Sequence, residues 1–370
     1  MSQSIALVVV NSVSYVFFEA FCCLLPSAEL NIAVKTKCFN YKGNHSLDNK
    51  DKVVVEPTKT KVRFVDIDEN NHGQRIDNFL ITELKGLPKG KIYNLLRKGE
   101  IRVNKKRTKP DYRLQSGDIV RIAPLVLPER ADKPTVAEGL KAQIESRIIY
   151  EDKGLLVVNK PSGLAVHGGS GLSFGLVEVV RQMRPLEKFV ELVHRLDRDT
   201  SGLIMIAKRR SVLKLLHEAL REKSGVQKTY LALVHGAWSK RKQKVDAPLL
   251  KNELKSGERV VRVNPEGKES LTRFNLVREF EGFSLIQCEP VTGRTHQIRV
   301  HTQFAGHSIV GDDKYTSSEL NKQTKEMGFK RLCLHATRLE IDYEGEKLIL
   351  EAPLDDEWKA LMSNVLVSRY

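Results

Sequence analysis

The stretch that decides the reading is VHRLDRDTSGL, residues 193–203, which runs into IMIAK, residues 204–208. Two arginines, two aspartates and a histidine stand between apolar flanks, and the run after them reads as a buried strand. Residues 194–200 are too polar to be core, yet they adjoin one, which marks them as a candidate site. Asp197 and Asp199 are two apart and share a face only if the segment is extended. A glycosidase needs two carboxylates roughly 5 to 10 Å apart across a bond, and a metal nuclease needs more acids or histidines nearby. His296 and His301 are five apart, which does not place them cleanly on one helix face, and no HExxH occurs. Chemistry with a single carboxylate is the natural option. A lone Asp beside Arg is more often a structural ion pair, but GRTHQIRVH, residues 293–301, stands far down the chain and can supply a partner charge.

Outward from this stretch, strands and helices do not alternate strictly. RIIYEDKGLLVVNKPSG (147–163) holds two strand-like runs and a turn at Lys160–Gly163. RRSVLKLLHEALRE (209–222) is an amphipathic helix with Val212, Leu213, Leu215, Leu216, Ala219 and Leu220 on one face. QKTYLALVHGAW is a strand, and NLVREFEGFSLIQCEPVTG a hairpin turning near Glu281-Gly282. RTHQIRVHTQFAG reads as a helix with Ile298, His301 and Phe304 partly inward and Gly306 as its stop. Two more strands and a closing helix follow. The pattern is α+β with a largely antiparallel sheet. The glycine-rich loop at 168–171 lacks GxxxxGK[ST] and GxGxxG, which argues against a nucleotide cofactor.

The 370 residues carry a formal charge of +15, an excess that points to a polyanionic partner. Its distribution is uneven. Between Gly73 and Arg121 thirteen Lys or Arg face five Asp or Glu, so +8 sits in about an eighth of the chain. Two short helices, GQRIDNFLITELKG and LPKGKIYNLLRKGE, precede two strands in this part, and its aromatics are few. Folded double-stranded RNA, read by shape, fits such a footprint better than stacked bases do. The five cysteines show neither a CxxC pair nor metal spacing; Cys288 and Cys333 sit in apolar strand-like runs, as in a reducing compartment.

The first 60 residues are different. Asn11, Ser12, Ser14 and Glu19 interrupt the apolar run 5–26, against a membrane span, and no basic residue precedes it, against a signal peptide. No Met follows Met1 until Met183, so residues 1–61 are expected to be a poorly ordered extension from a mis-assigned start, the true one being a non-ATG codon near Val53 to Val62. A membrane anchor is the alternative. The expected organisation is this extension, a small basic domain over 62–124, a Pro-rich linker over 125–145 and a large domain over 146–370.

GQRIDNFL, RKGEIRVN and LQSGDIVRI in the small domain resemble the S4-type RNA-binding domain. Its expected RNA contacts are Lys89, Lys91, Arg97, Lys98, Lys105, Lys106 and Arg107. In the large domain KPSGLAVHGG, HRLDRDTSGL, QKTYLALV and VTGRTHQIRVHTQFAGH resemble, in order, the motifs of the RluA-type pseudouridine synthases. The resemblance runs from about Val62 to the C-terminus. It implies an enzyme that isomerises uridine in RNA, breaking the C1′–N1 bond, turning the uracil and joining C5 to C1′. The S4-like domain in front, with LLKNELKSGERVVRV and HGGSGLSFG, points within the family to enzymes of large-subunit (23S) ribosomal RNA. The family's catalytic aspartate falls on Asp197, not Asp199. Arg299 matches the arginine that pairs with it and would keep it ionised, Tyr230 the tyrosine that packs on the uracil, and Arg195 the arginine that helps to displace the base. No metal or other cofactor is implied. A cytoplasmic monomer is expected, and the competing reading is a non-catalytic RNA-binding ribosome-assembly factor. His194 is expected to serve the loop by hydrogen bonding, Thr200, Ser201 and Gly202 to fix it as a turn, and Arg198 and Asp199 to be solvated or loop-stabilising.

Overall fold

The computed structural model describes residues 7–8, 58–84, 86–127, 135–169, 174–253 and 259–367. Most of the extension 1–61, with its expected disorder, lies outside the described residues. The chain divides into two compact units, Ser12–Lys133 and Met1–Asn11 with Pro134–Tyr370.

In the smaller unit, helices Ile76–Glu83 and Lys89–Lys98 share an apolar core with an antiparallel sheet ordered Arg63–Asp66, Ile119–Ile122, Ile101–Val103. Ile92, Leu95 and Leu96 recur at helical spacing and are buried, which sets the face of the second helix. Gly99 ends it at φ 72°, where Gly99 N–H bonds Leu96 O and Glu100 N–H bonds Leu95 O. The next turn, Val103–Lys106, places Asn104 and Lys105 at φ 48° and 68°, the mirror-image hairpin turn that normally takes Asn-Gly. Asp118 fixes it by accepting from the Asn104 amide at 2.7 Å. All seven expected RNA contacts of this unit are exposed. Arg97 and Arg107 line one concavity of about 570 Å³ with Tyr93 and Lys109.

The larger unit is built on a sheet of eleven described strands. Its main path is Lys244–Asp246, Leu271–Phe280, Phe283–Pro290, Val226–His235, Leu334–Tyr343, Ser201–Ala207, Leu155–Lys160, Ile148–Glu151. Pairing along this path is antiparallel except between Ser201–Gly202 and His335–Ala336. Leu155–Lys160 and Ser201–Ala207 are buried throughout, with alternate side chains in two apolar clusters: Leu156, Val158, Ile204 and Ile206 in one, Leu155, Val157, Leu203 and Met205 in the other. The sheet is therefore covered on both faces where the motif strand runs through it.

Several expectations change. Val136 and Ile144, in the stretch expected as linker, are 1% and 0% exposed and belong to the large unit's core, while Leu125 belongs to the small one's. Leu215 is 48% exposed, because the buried face of helix Arg210–Glu222 is centred on Val212 and Leu216. Phe304, expected partly inward, is 60% exposed at the last residue of helix Gln297–Phe304. Thr200, Ser201 and Gly202 are not turn residues: all three are buried, and Ser201–Gly202 begin a strand. Gly202 is required there, because at φ 107° a Cβ would overlap the backbone of Ala336.

Candidate active site

A cavity of about 800 Å³ opens in the larger unit, lined by the HRLD segment, the strand carrying Tyr230, the loop 289–296 and the start of helix Gln297–Phe304. Asp197 stands in the loop between strands Glu191–Leu192 and Ser201–Ala207, anchored by the buried neighbour Leu196. Two side chains from KPSG hold the backbone that follows it. Lys160 Nζ donates to the carbonyls of Arg198, Pro161 and Leu164 at 2.8–2.9 Å, and Ser162 Oγ–H donates to Asp199 O at 2.7 Å. Lys160 is 0% exposed. Burial pushes its pKa down to about 7, yet three carbonyl acceptors match the three N–H bonds of an ammonium.

Arg299 reaches Asp197 from 102 positions away in sequence: its Nη1 donates to Oδ2 at 3.3 Å. Its other edge is clamped. Nε and Nη2 donate to the two oxygens of Asp312, both at 2.7 Å, a bidentate pair with a fully buried carboxylate. Burial works against the guanidinium charge, but Asp312 and then Asp197 more than offset it and raise the pKa above the ordinary value. Asp312 also accepts from the backbone N–H groups of Lys314 and Tyr315. Gly311 lets the chain pass Arg331, since a Cβ at its φ of 74° would overlap the Arg331 carbonyl.

Tyr230 is 7% exposed and lines the same cavity. Burial raises its phenol pKa, with Asp197 and Cys288 adding to the shift, so the hydroxyl stays protonated at neutral pH. Arg195 is exposed and lines the cavity. Arg198 and Asp199 form an exposed ion pair at 3.1 Å and are absent from the cavity wall. His194 serves the loop: its Nε2 accepts from Met205 N–H at 3.2 Å, while Nδ1 is buried without a partner among the described residues. Burial first, then Lys228, pulls its pKa down to about 3.

The structure thus brings Asp197, Arg299, Tyr230 and Arg195 together. Sequence reasoning missed Lys160, Asp312, His296 and Tyr315, and the basic residues Arg221, Lys223, Lys228, Arg273 and Arg294 of the cavity wall. A lysine closing the strand-like run LLVVNK, after four apolar residues and an asparagine, was a signal for the first. Nothing in GDDKY set Asp312 apart from a turn residue. Among the described residues no three His, Cys, Asp or Glu gather as a metal site, and no helix is long and apolar enough to cross a membrane.

Comparison with known proteins agrees with this geometry. Residues 154–304 match the RNA pseudouridylate synthase family, and residues 74–120 match the S4 domain. The ribosomal large subunit pseudouridine synthase C of Pasteurella multocida is 54% identical over 304 residues, covering 81% of this chain and 93% of its own. That of Escherichia coli (strain K12) is 54% identical over 313 residues, covering 83% and 98%. Among solved structures, human RNA pseudouridylate synthase domain containing 4 aligns with a TM-score of 0.51 at 25% identity, over 62% of this chain and 96% of that one. With the expected motifs converging on one cavity and relatives this similar over most of their length, the chain belongs to the RNA pseudouridylate synthase family.

Proposed function

We propose that the protein isomerises uridines of large-subunit ribosomal RNA to pseudouridine, with Asp197 as the catalytic carboxylate. The observation that carries this is the Asp197–Arg299 contact at 3.3 Å on the wall of a cavity of about 800 Å³. Such a volume accommodates a nucleotide turned out of its stack. The C1′–N1 bond breaks, C5 bonds to C1′, and the C5 proton leaves as N1 gains one, so atoms and charge balance. Asp197 acts at the sugar or base as nucleophile or proton acceptor and faces the positive charge that develops on the ribose. Arg299, held by Asp312, fixes the carboxylate. The Tyr230 ring packs on the uracil. Its protonated phenol is a hydrogen-bond donor rather than a ready base. Arg195, exposed at the cavity, takes part in displacing the base.

Turning out a base costs a few kcal/mol, which contacts to the flanking backbone offset. Arg221, Lys223, Lys228, Arg273 and Arg294 of the cavity wall supply cations for phosphates. The small unit adds Lys89, Lys91, Arg97, Lys98, Lys105, Lys106 and Arg107 as a capture surface for folded RNA. Isomerisation is redox-neutral and keeps the uracil, so the reaction calls for no cofactor; a monomer acting in the cytoplasm belongs to the same proposal. Incubation with large-subunit rRNA tritiated at uridine C5 tests the proposal. Label should pass into water with the strand intact. A non-catalytic assembly factor would release none, and a hydrolase would yield fragments or free base.

A further inference from the structure

We propose that His296 is a positioning residue for Asp197: a neutral imidazole whose Nε2–H faces Oδ2 and, with Arg299, commits that oxygen, leaving Oδ1 to meet the nucleotide. The inference rests on the reading of Asp197 as the reacting group.

Four observations carry it. First, His296 Nε2 lies 3.8 Å from Asp197 Oδ2, the same oxygen that Arg299 Nη1 meets at 3.3 Å. No hydrogen bond engages Oδ1 among the described residues. Second, the tautomer follows from the partners of the other nitrogen. Tyr315 Oη accepts from Val261 N–H at 3.1 Å and lies 2.7 Å from His296 Nδ1. Its own proton needs an acceptor in a residue only 5% exposed, and among the described residues Nδ1 is the acceptor it meets, at 2.7 Å, so the proton of the imidazole is assigned to Nε2. Third, His296 has left-handed backbone, φ 52° and ψ 21°, immediately before the helix that carries Arg299. A side chain held in that region without glycine is overdetermined by its surroundings, and such residues gather at functional sites. Fourth, one buried carboxylate supports both arms: Asp312 clamps Arg299 and accepts from Tyr315 N–H.

The charges around the imidazole are Asp197, Arg299, Lys314 and Asp312. Burial, Arg299 and Lys314 favour its neutral form, against the attraction of the two carboxylates. At 3.8 Å, outside hydrogen-bond range, a neutral N–H dipole aimed at Oδ2 favours this orientation of Asp197 without adding a second full charge beside Arg299. Leu249, Val261, Val300 and Tyr315 form a buried apolar cluster behind it, which keeps the Tyr315 hydroxyl in place.

Steady-state tritium release from large-subunit rRNA tests this with wild type, His296→Gln, His296→Asn, Tyr315→Phe and Asp197→Ala. Gln can set an N–H near the Nε2 position, whereas Asn tolerates left-handed backbone but stops short of Asp197. His296→Asn should lower kcat by about 10- to 100-fold, the scale of a carboxylate misplaced by about 1 Å, with KM within about twofold. His296→Gln should recover most of the loss. Tyr315→Phe should lower kcat less than His296→Asn does. Equal kcat for His296→Asn and wild type, equal losses for Gln and Asn, or an effect confined to KM would each overturn the role. Asp197→Ala separates the two claims: full activity there would remove the proposed function itself, whatever His296 does.

Discussion

Asp312→Asn is the perturbation that probes the scaffold of the site most sharply. The substitution keeps the shape of the side chain but removes the charge that meets Arg299, a residue only 7% exposed, through two bonds of 2.7 Å. Breaking a buried ion pair by removing one partner costs about 3 to 5 kcal/mol, because the other charge is left in a dry place. For a unit of this size each kcal/mol shifts Tm by about 2 to 4 °C, so a fall on the order of 10 °C is expected. The effect on activity has a separate origin. Among the described residues Asp197 is then the one carboxylate left in contact with the Arg299 guanidinium, and the arginine is drawn off its clamp toward it. A displacement of about 1 Å costs on the order of 100-fold in rate, carried by kcat rather than KM. Tritium release at saturating RNA and a thermal melt, each at a temperature where the variant is folded, read the two effects. A variant that melts lower but turns over at the wild-type rate would refute the idea that Asp312 positions Arg299. Wild-type melting would refute the buried pair's structural cost.

Four further outcomes follow from the structure. Lys160→Met leaves three carbonyls without their donor, which should lower stability by about 3 kcal/mol in urea unfolding and kcat with it; unchanged kcat would mean that the loop after Asp197 needs no tie. The pKa of His194 is about 3 in the folded protein against 6.5 when free, so the unfolded chain binds the extra proton and stability falls as pH drops below 6.5. About 2 kcal/mol should be lost between pH 7.5 and pH 5, and His194→Gln should flatten that slope relative to wild type; parallel slopes would contradict the buried neutral ring. In the small unit, reversing Lys105, Lys106 and Arg107 should raise KM for RNA and cut the log–log salt slope by about 2 to 3. Lys105→Gly alone should relieve the left-handed turn, leaving the fold as stable or up to about 1 kcal/mol more stable, while RNA binding weakens; a gain in affinity would remove Lys105 from the contact surface.

The parts of this site that were legible in sequence are those where chemistry and local pattern coincide. HRLD before a buried strand and HQIR on a helix carry unusual charge for their places, and both reach the cavity. Helix, strand and hairpin identities in the large unit followed from period and turn residues. What stayed hidden depends on long-range pairing. Ser201 and Gly202 look like turn residues until Gly202 is seen against the Ala336 backbone, and Ser201 Oγ bonded to His335 Nδ1 at 2.9 Å. The helix 297–304 starts three residues later than the pattern RTHQIR suggests, because His296 takes a left-handed conformation that no local preference dictates. Asp312 reads as part of a turn, and only the crossing of two distant segments makes it the clamp of Arg299. The boundary between the units falls at Lys133/Pro134, inside the stretch expected as linker, and which parts of that stretch pack with which unit was not legible, because Val136 and Ile144 are scattered apolar residues among charged ones and burial alone assigns them.

The central claim is that the carboxylate of Asp197 does the chemistry while other groups hold it and the RNA. The most direct measurement is tritium release and RNA affinity of Asp197→Ala in parallel, on the same rRNA preparation. The account predicts a fall in rate of more than about 10⁴-fold with Kd within about twofold of wild type. A variant that still turns over within tenfold of wild type, or that loses RNA binding together with activity, would contradict it.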